Sequence, residues 1–292
     1  MDGIAPTLVL VHGAFADASG WSEVLERLQA AGAEVLAAAN PLRGLAADGE
    51  YIVSVARQIE GPVVLVGHSY GGAVIIYAGS RAENVLGLVF IASFKIERGQ
   101  SVNDATATFA PPQVASALSF KQYPDISGSA TELSIRTDLY ARVFAADVTV
   151  ARISMLAVSQ RPVAAAAFLE PLEVEPAWKK LPSWFLVAAQ DNVVNPDAQR
   201  DAAKRMGSTV TEVKSSHAVM MSQPKAVADF ILKAWEVFRP WRFAVPRLLA
   251  THHQALCCND VDGADRAPPI SVIALQSRAK YDLRDDQSLS NQ

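Results

Sequence analysis

Short runs of aliphatic and β-branched residues alternate along this chain with stretches whose apolar residues recur every three to four positions. Runs near 7–11 (Thr-Leu-Val-Leu-Val), 33–38, 62–66, 86–92, 183–189 and 209–214 read as strands. Between the first two, Trp21, Val24, Leu25 and Leu28 share one helical face, and Gly32 offers a C-terminal stop. Ile52, Val55 and Ile59 repeat the pattern before Gly61-Pro62. Near the end, Val227, Phe230, Ile231, Ala234, Trp235 and Phe238 form a broad core-type stripe, with Ser222 placed to cap its helix. The alternation predicts an α/β fold: a mainly parallel sheet of about six strands, covered by helices on both faces.

One connection is out of scale. About 90 residues separate Phe90-Ile-Ala92 from Ser183, where a crossover helix needs only about a dozen. The stretch of about 95–178 therefore reads as an insertion. It looks helical over 139–146, 150–158 and 163–168, and as an apolar lid it would lie at the carboxyl edge of the sheet, where ligands bind. Phe109, Phe120, Tyr140, Phe144, Met155 and Phe168 are its pocket-wall candidates, and Phe15 and Tyr70 are expected at the entrance. The folded domain is expected to span 1–239. Past Arg239-Pro240 the periodicity dissolves, and 240–292 reads as a mobile C-terminal tail.

Composition narrows the classes. Half of the 292 residues are hydrophobic and 19% charged, which suits a sizeable core, and the net charge of −4 without a basic cluster argues against nucleic acid. No apolar run approaches a membrane span, and the first residues lack the pattern of a signal peptide, so a cytoplasmic protein with no membrane partner is expected. The two cysteines, Cys257 and Cys258, are adjacent and exclude a disulfide framework for the domain. With His252 and His253 they fall in the tail, without the separated pairs a zinc site uses, so no metal is expected.

The chemistry centres on residues 63–72, Val-Val-Leu-Val-Gly-His-Ser-Tyr-Gly-Gly, where a strand enters a Gly-x-Ser-x-Gly turn before a helix. That sequence makes a nucleophile elbow, with Ser69 exposed on a strained turn and Gly67 and Gly71 leaving room for it. A serine needs a base, and the chain has five histidines. His12 belongs to a strand end, His68 is a neighbour that points away, and His252 and His253 lie in the tail. His217, just past the last strand, remains. Asp191, after the strand at 183–189, is the expected carboxylate partner, with Glu97 as the runner-up. Oxyanion donors are expected from the amide of Tyr70 and from the loop His12-Gly-Ala-Phe15, at Ala14 first and Phe15 second.

These motifs, Val11-His-Gly-Ala-Phe-Ala-Asp-Ala-Ser-Gly-Trp21, Gly67-His-Ser-Tyr-Gly-Gly72, Asp191, Ser216-His217 and Ser222-Gln-Pro224, resemble those of the α/β-hydrolase superfamily. The likeness runs over roughly 5–238 and is greatest to small bacterial serine esterases, which are similar to the plant methylesterase and hydroxynitrile lyase group. The resemblance implies an α/β-hydrolase fold, Ser69, Asp191 and His217 as catalytic triad, Ala14 and Tyr70 as oxyanion donors, and no cofactor. Lyases of that group carry a lysine after the catalytic histidine. Ala218 stands there, so ester hydrolysis is the expected chemistry. The expectation is a serine carboxylesterase for small to medium apolar esters, with Phe15, Tyr140 and Phe144 meeting the substrate. Perhydrolase, lactonase, C–C hydrolase, hydroxynitrile lyase or non-hydrolytic receptor activity is the alternative, and a homodimer is left open.

Overall fold

The computed structural model describes residues 4–126 and 128–239. The expected tail at 240–292, with His252, His253, Cys257 and Cys258, lies outside the described residues. In chain order, the first elements are β1 (Thr7–Val11), α1 (Ser22–Ala30), β2 (Val35–Ala38), α2 (Leu45–Arg57), β3 (Val63–His68), α3 (Tyr70–Arg81) and β4 (Val85–Ile91). Then follow α4 (Val102–Thr106), β5 (Leu118–Asp125), β6 (Gly128–Ile135), α5 (Thr137–Phe144), α6 (Val150–Ser159), β7 (Val163–Ala164) and α7 (Ala166–Leu169). The last are β8 (Ser183–Ala188), α8 (Pro196–Arg205), β9 (Thr209–Val213), α9 (Val219–Ser222) and α10 (Pro224–Phe238).

Six parallel strands form the central sheet in the order β2-β1-β3-β4-β8-β9. Every residue of β3 and β8 is buried, which is why these strands read as continuous apolar runs rather than alternating ones. α1 buries Val24 and Leu28, and Gly32, at φ 80°, lets the chain leave the helix in the left-handed region. α10 buries Val227, Phe230, Ile231, Ala234 and Trp235, and the Trp235 indole N–H donates to the Pro6 carbonyl at 2.7 Å. Ser222 does not cap this helix. α10 opens at Pro224, whose fixed φ suits a first helical turn, while Ser222 ends α9 and shares a 2.7 Å hydrogen bond with Ser215.

The insertion between β4 and β8 is mixed rather than helical. β5 and β6 pair antiparallel from Leu118↔Ile135 to Asp125↔Gly128, and β7 adds a third strand. Residues 137–144 and 150–159 are helical, but Val163–Ala164, expected to begin a helix, is β7. Its surroundings decide this: the amides of Ala164 and Ala165 donate to the carbonyls of Leu42 and Thr131, so they cannot serve a helix.

Candidate active site

A parallel sheet collects the loops after its strands at one edge, and here the loops after β1, β3, β8 and β9 meet there. Ser69 follows β3 directly, with φ 51° and ψ −123°. Such a backbone costs an L-residue about 1–3 kcal/mol and persists only where its surroundings hold it. The Ser69 N–H donates to the Ile91 carbonyl at 3.0 Å, and Ser93 Oγ donates to the Ser69 carbonyl at 2.8 Å. The adjoining glycines are steric necessities. A Cβ on Gly67 would lie 2.5 Å from the Gly71 carbonyl oxygen, one on Gly71 2.4 Å from that of Val11, and one on Gly72 1.9 Å from Ser93 Oγ. Phe15 and Ala92 also take positive φ, so strained residues follow β1, β3 and β4 at this one edge.

Asp191, in the turn after β8, and His217, in the loop after β9, are both buried and joined by a 2.7 Å hydrogen bond between His217 Nδ1 and Asp191 Oδ2. A carboxylate only accepts, so Nδ1 carries the proton and Nε2 presents a lone pair. Nε2 has no partner among the described residues. Asp191 is held in turn by the amides of Val193 and Val194, at 2.7 and 3.0 Å, and by Gln199 Nε2 at 2.8 Å. His68 is engaged with the backbone of the next histidine along the chain. Its Nε2–H donates to the His217 carbonyl at 3.0 Å, with the two rings 4.5 Å apart, and burial pushes its pKa well below the ordinary histidine value. Glu97, the alternative acid, instead pairs with Lys95 and Lys179.

The loop after β1 lies against the nucleophile: a Cβ on Gly13 would sit 2.8 Å from Ser69 Cβ. His12 fixes this loop from behind. Its Nδ1–H donates to the Gly13 carbonyl at 2.9 Å, and its Nε2 accepts the Asn40 N–H at 3.1 Å, so the ring is neutral, and burial lowers its pKa. The Ala14 N–H meets no acceptor among the described residues. The Tyr70 N–H belongs to the first turn of α3, where helical amides lack a partner. The Tyr70 phenol donates to Asp48 Oδ2 at 2.8 Å, and burial raises the pKa of both groups, the phenol's by far.

Aromatic rings surround this constellation. Phe144 meets the His217 ring edge-on at 5.0 Å and stacks on Tyr140 at 4.9 Å, and the Tyr140 hydroxyl donates to the Phe15 carbonyl at 3.1 Å. Phe168 packs on Phe15 and Tyr70 at 6.4 and 5.8 Å. Phe15, Tyr140 and Phe144 line one cavity of about 20 Å³, together with Leu156, Met220 and Met221, but Ser69, Asp191 and His217 do not line it. Phe15 and Tyr70, expected at an entrance, are buried. Phe120 and Met155 are exposed, and Phe109 lines a separate groove with Ala198 and Arg205, so these three are not walls of the site. Gln199 and Ser93 were not legible from the sequence. Gln199 sits in the strongly polar stretch Pro-Asp-Ala-Gln-Arg-Asp, whose pattern marks a solvated face.

Among the described residues, no cluster of three or more His, Cys, Asp or Glu side chains is placed to hold a metal, and no helix is long and apolar enough to cross a membrane. Residues 8–230 match the model of the alpha/beta hydrolase family. No curated protein matches the chain. Among solved structures, polyneuridine aldehyde esterase is similar with TM-score 0.69 and 20% identity, covering 79% of this chain and 99% of its own. The methylesterase MES16 from Arabidopsis is similar with TM-score 0.67 and 18% identity, covering 80% of this chain and 99% of its own. A pyrethroid hydrolase from Sphingobium faniae JZ-2 gives TM-score 0.65 and 19% identity, covering 80% of this chain and 98% of its own.

Proposed function

The chain belongs to the alpha/beta hydrolase family, and on that premise we propose that it is a serine carboxylesterase for small to medium apolar esters. The observation that carries this reading is the strained Ser69 directly after β3, at the same sheet edge as a buried Asp191–His217 pair whose Nε2 is unspent. In the proposed reaction, Ser69 Oγ attacks the ester carbonyl while His217 Nε2 takes its proton. Negative charge on the carbonyl oxygen is met by the amides of Ala14 and Tyr70. The C–O bond to the alcohol then breaks as His217 returns the proton to it, leaving an acyl-Ser69. Water, deprotonated by His217, releases the acid and restores the serine.

The rings of Phe15, Phe144, Phe168 and Tyr70 favour an apolar acyl or alcohol group, and the esterase names among the similar structures agree with the chemistry. Ala218 supports hydrolysis over cyanide elimination. It is buried, its amide donates to the Phe144 carbonyl at 3.0 Å, and it supplies no cation beside the base. Ser69→Ala is expected to lower kcat on p-nitrophenyl butyrate by about 10⁴- to 10⁶-fold with folding intact. Equal rates for variant and wild type would remove the triad, and stoichiometric binding without turnover would point to a receptor.

A further inference from the structure

The loop that carries His217 is fixed from the insertion by one side chain, which the proposed mechanism does not use. Asp147 lies three residues past the end of α5, among the residues inserted between β4 and β8. Its Oδ2 accepts the Ser216 N–H at 3.1 Å and the Ser215 hydroxyl at 2.9 Å, and its Oδ1 accepts the Ser216 hydroxyl in a very short contact. These three donors belong to the two residues immediately before His217, and the Ser222 hydroxyl, which shares a hydrogen bond with Ser215, also stabilises the carboxylate. None of these donors is a cation. Burial acts to raise the Asp147 pKa, but the bonds from Ser216, Ser215 and Ser222 outweigh it and hold the carboxyl below the ordinary range. An ionised carboxylate accepts such bonds more strongly than a neutral carboxyl does.

The same segment grips the loop from its other side. The Phe144 carbonyl accepts the Ala218 N–H at 3.0 Å, while the Phe144 ring lies edge-on to the imidazole. His217 is thus bracketed: Ser215 and Ser216 are bonded to Asp147, Ala218 is bonded to Phe144, and the imidazole itself is bonded to Asp191. Asp191 fixes the tautomer and Nδ1, but it cannot fix the backbone from which the ring hangs.

We propose that Asp147 is a positioning residue for the catalytic base, tying the His217 loop to the insertion so that Nε2 is held toward Ser69. This rests on the esterase reading, because the base is His217 only if that reading holds. The residue is bonded to none of Ser69, Asp191 or His217 and acts through the Ser216 N–H and the hydroxyls of Ser215 and Ser216.

The test measures turnover per active site, with sites titrated by a stoichiometric phosphonylating ester, in wild type, Asp147→Ala, Asp147→Asn and Ser216→Ala. A misplacement of about 1 Å can cost about 100-fold, so kcat per titrated site should fall about 10- to 100-fold in Asp147→Ala, with KM within about 3-fold. Asp147→Asn, which keeps one acceptor oxygen, should lie between Asp147→Ala and wild type. Ser216→Ala deletes one bond to Asp147, with the long 3.4 Å one to the Phe144 carbonyl, and keeps the backbone donor, and it should show a smaller loss in the same direction. A merely structural role would lower the titratable fraction and leave kcat per site unchanged. Values within about 2-fold of wild type in the folded variants overturn the proposal.

A second measurement separates this from the esterase assignment. The Nδ1 proton of His217, bonded at 2.7 Å to Asp191, should give a protected, strongly downfield proton resonance in the wild-type protein. Asp147→Ala, or Ser216→Ala if the former does not fold, should broaden or abolish it while the rest of the spectrum persists. An unchanged resonance counts against the clamp even if wild type hydrolyses no ester, whereas absent turnover with a clamp-sensitive resonance counts against the esterase reading alone.

Discussion

At the scale of single residues, the site depends on side chains whose roles are set by what they would leave unpaired. Gln199 is completely buried and fully bonded: Oε1 accepts the Ala188 N–H at 2.9 Å, and Nε2 donates to Asp191 and to the Val194 carbonyl. Gln199→Leu would strand the Ala188 amide and remove a donor from the carboxylate that orients His217. A buried group left unsatisfied costs about 1–3 kcal/mol, so urea unfolding should show a loss of that size, with kcat falling as well. A variant as stable as wild type would show that the bonds are replaced. Ser69, Asp191 and His217 announce themselves by spacing and by their places at strand ends. Gln199 and Asp147 do not, because a polar residue in a helix or a loop looks the same in sequence whether it faces water or a buried amide.

At the scale of elements, the elbow and the insertion have opposite tolerances. Gly71 lets α3 start against the carbonyl of Val11, and a methyl there meets backbone at 2.4 Å rather than a flexible side chain. Gly71→Ala should therefore cost more than the usual overpacking range of about 1–3 kcal/mol. The measurable outcome is loss of soluble folded protein or a steep fall in melting temperature; a near-wild-type melt would mean that β1 and α3 can separate. Within the insertion, α5 buries Tyr140, Val143 and Phe144 and ends at the contacts to the His217 loop, whereas α6 buries only Ile153 and Ala157 and exposes Val150, Met155 and Val158. Local opening is governed by such contacts, so amides of 150–159 should exchange faster than those of 137–144. Equal protection would mean that the insertion opens as one body. The sheet was legible because each buried strand is a dense apolar run. The β5–β6 hairpin was not: in Leu-Ser-Phe-Lys-Gln-Tyr-Pro-Asp the large Phe120 faces solvent and Pro124 interrupts the run, so no period of two marks a buried face.

At the scale of the whole molecule, two buried histidines outside the proposed triad tie folding to pH. Burial lowers the pKa of both His12 and His68, that of His68 well below 6.5, and each is engaged as a neutral ring with one nitrogen donating to a carbonyl. In the unfolded chain both return to about 6.5. As pH falls through that value, the unfolded state takes up protons that the native state refuses, so stability drops. The contribution is present in full above the unfolded pKa and is lost as pH moves below it toward the folded values. Each such group gives a limiting slope of about 1.4 kcal/mol per pH unit, and the pair about twice that. The raised carboxyl of Asp48 opposes this trend only where a carboxylate titrates, nearer pH 4 and above toward its shifted value. Between pH 7.5 and 5.5 the urea midpoint should therefore fall steadily. His68→Gln keeps a donor for the His217 carbonyl but cannot be protonated, so it should remove about half of that slope. A flat midpoint for wild type over this range would show that the rings accept protons in place and that the loops after β1 and β9 yield to them.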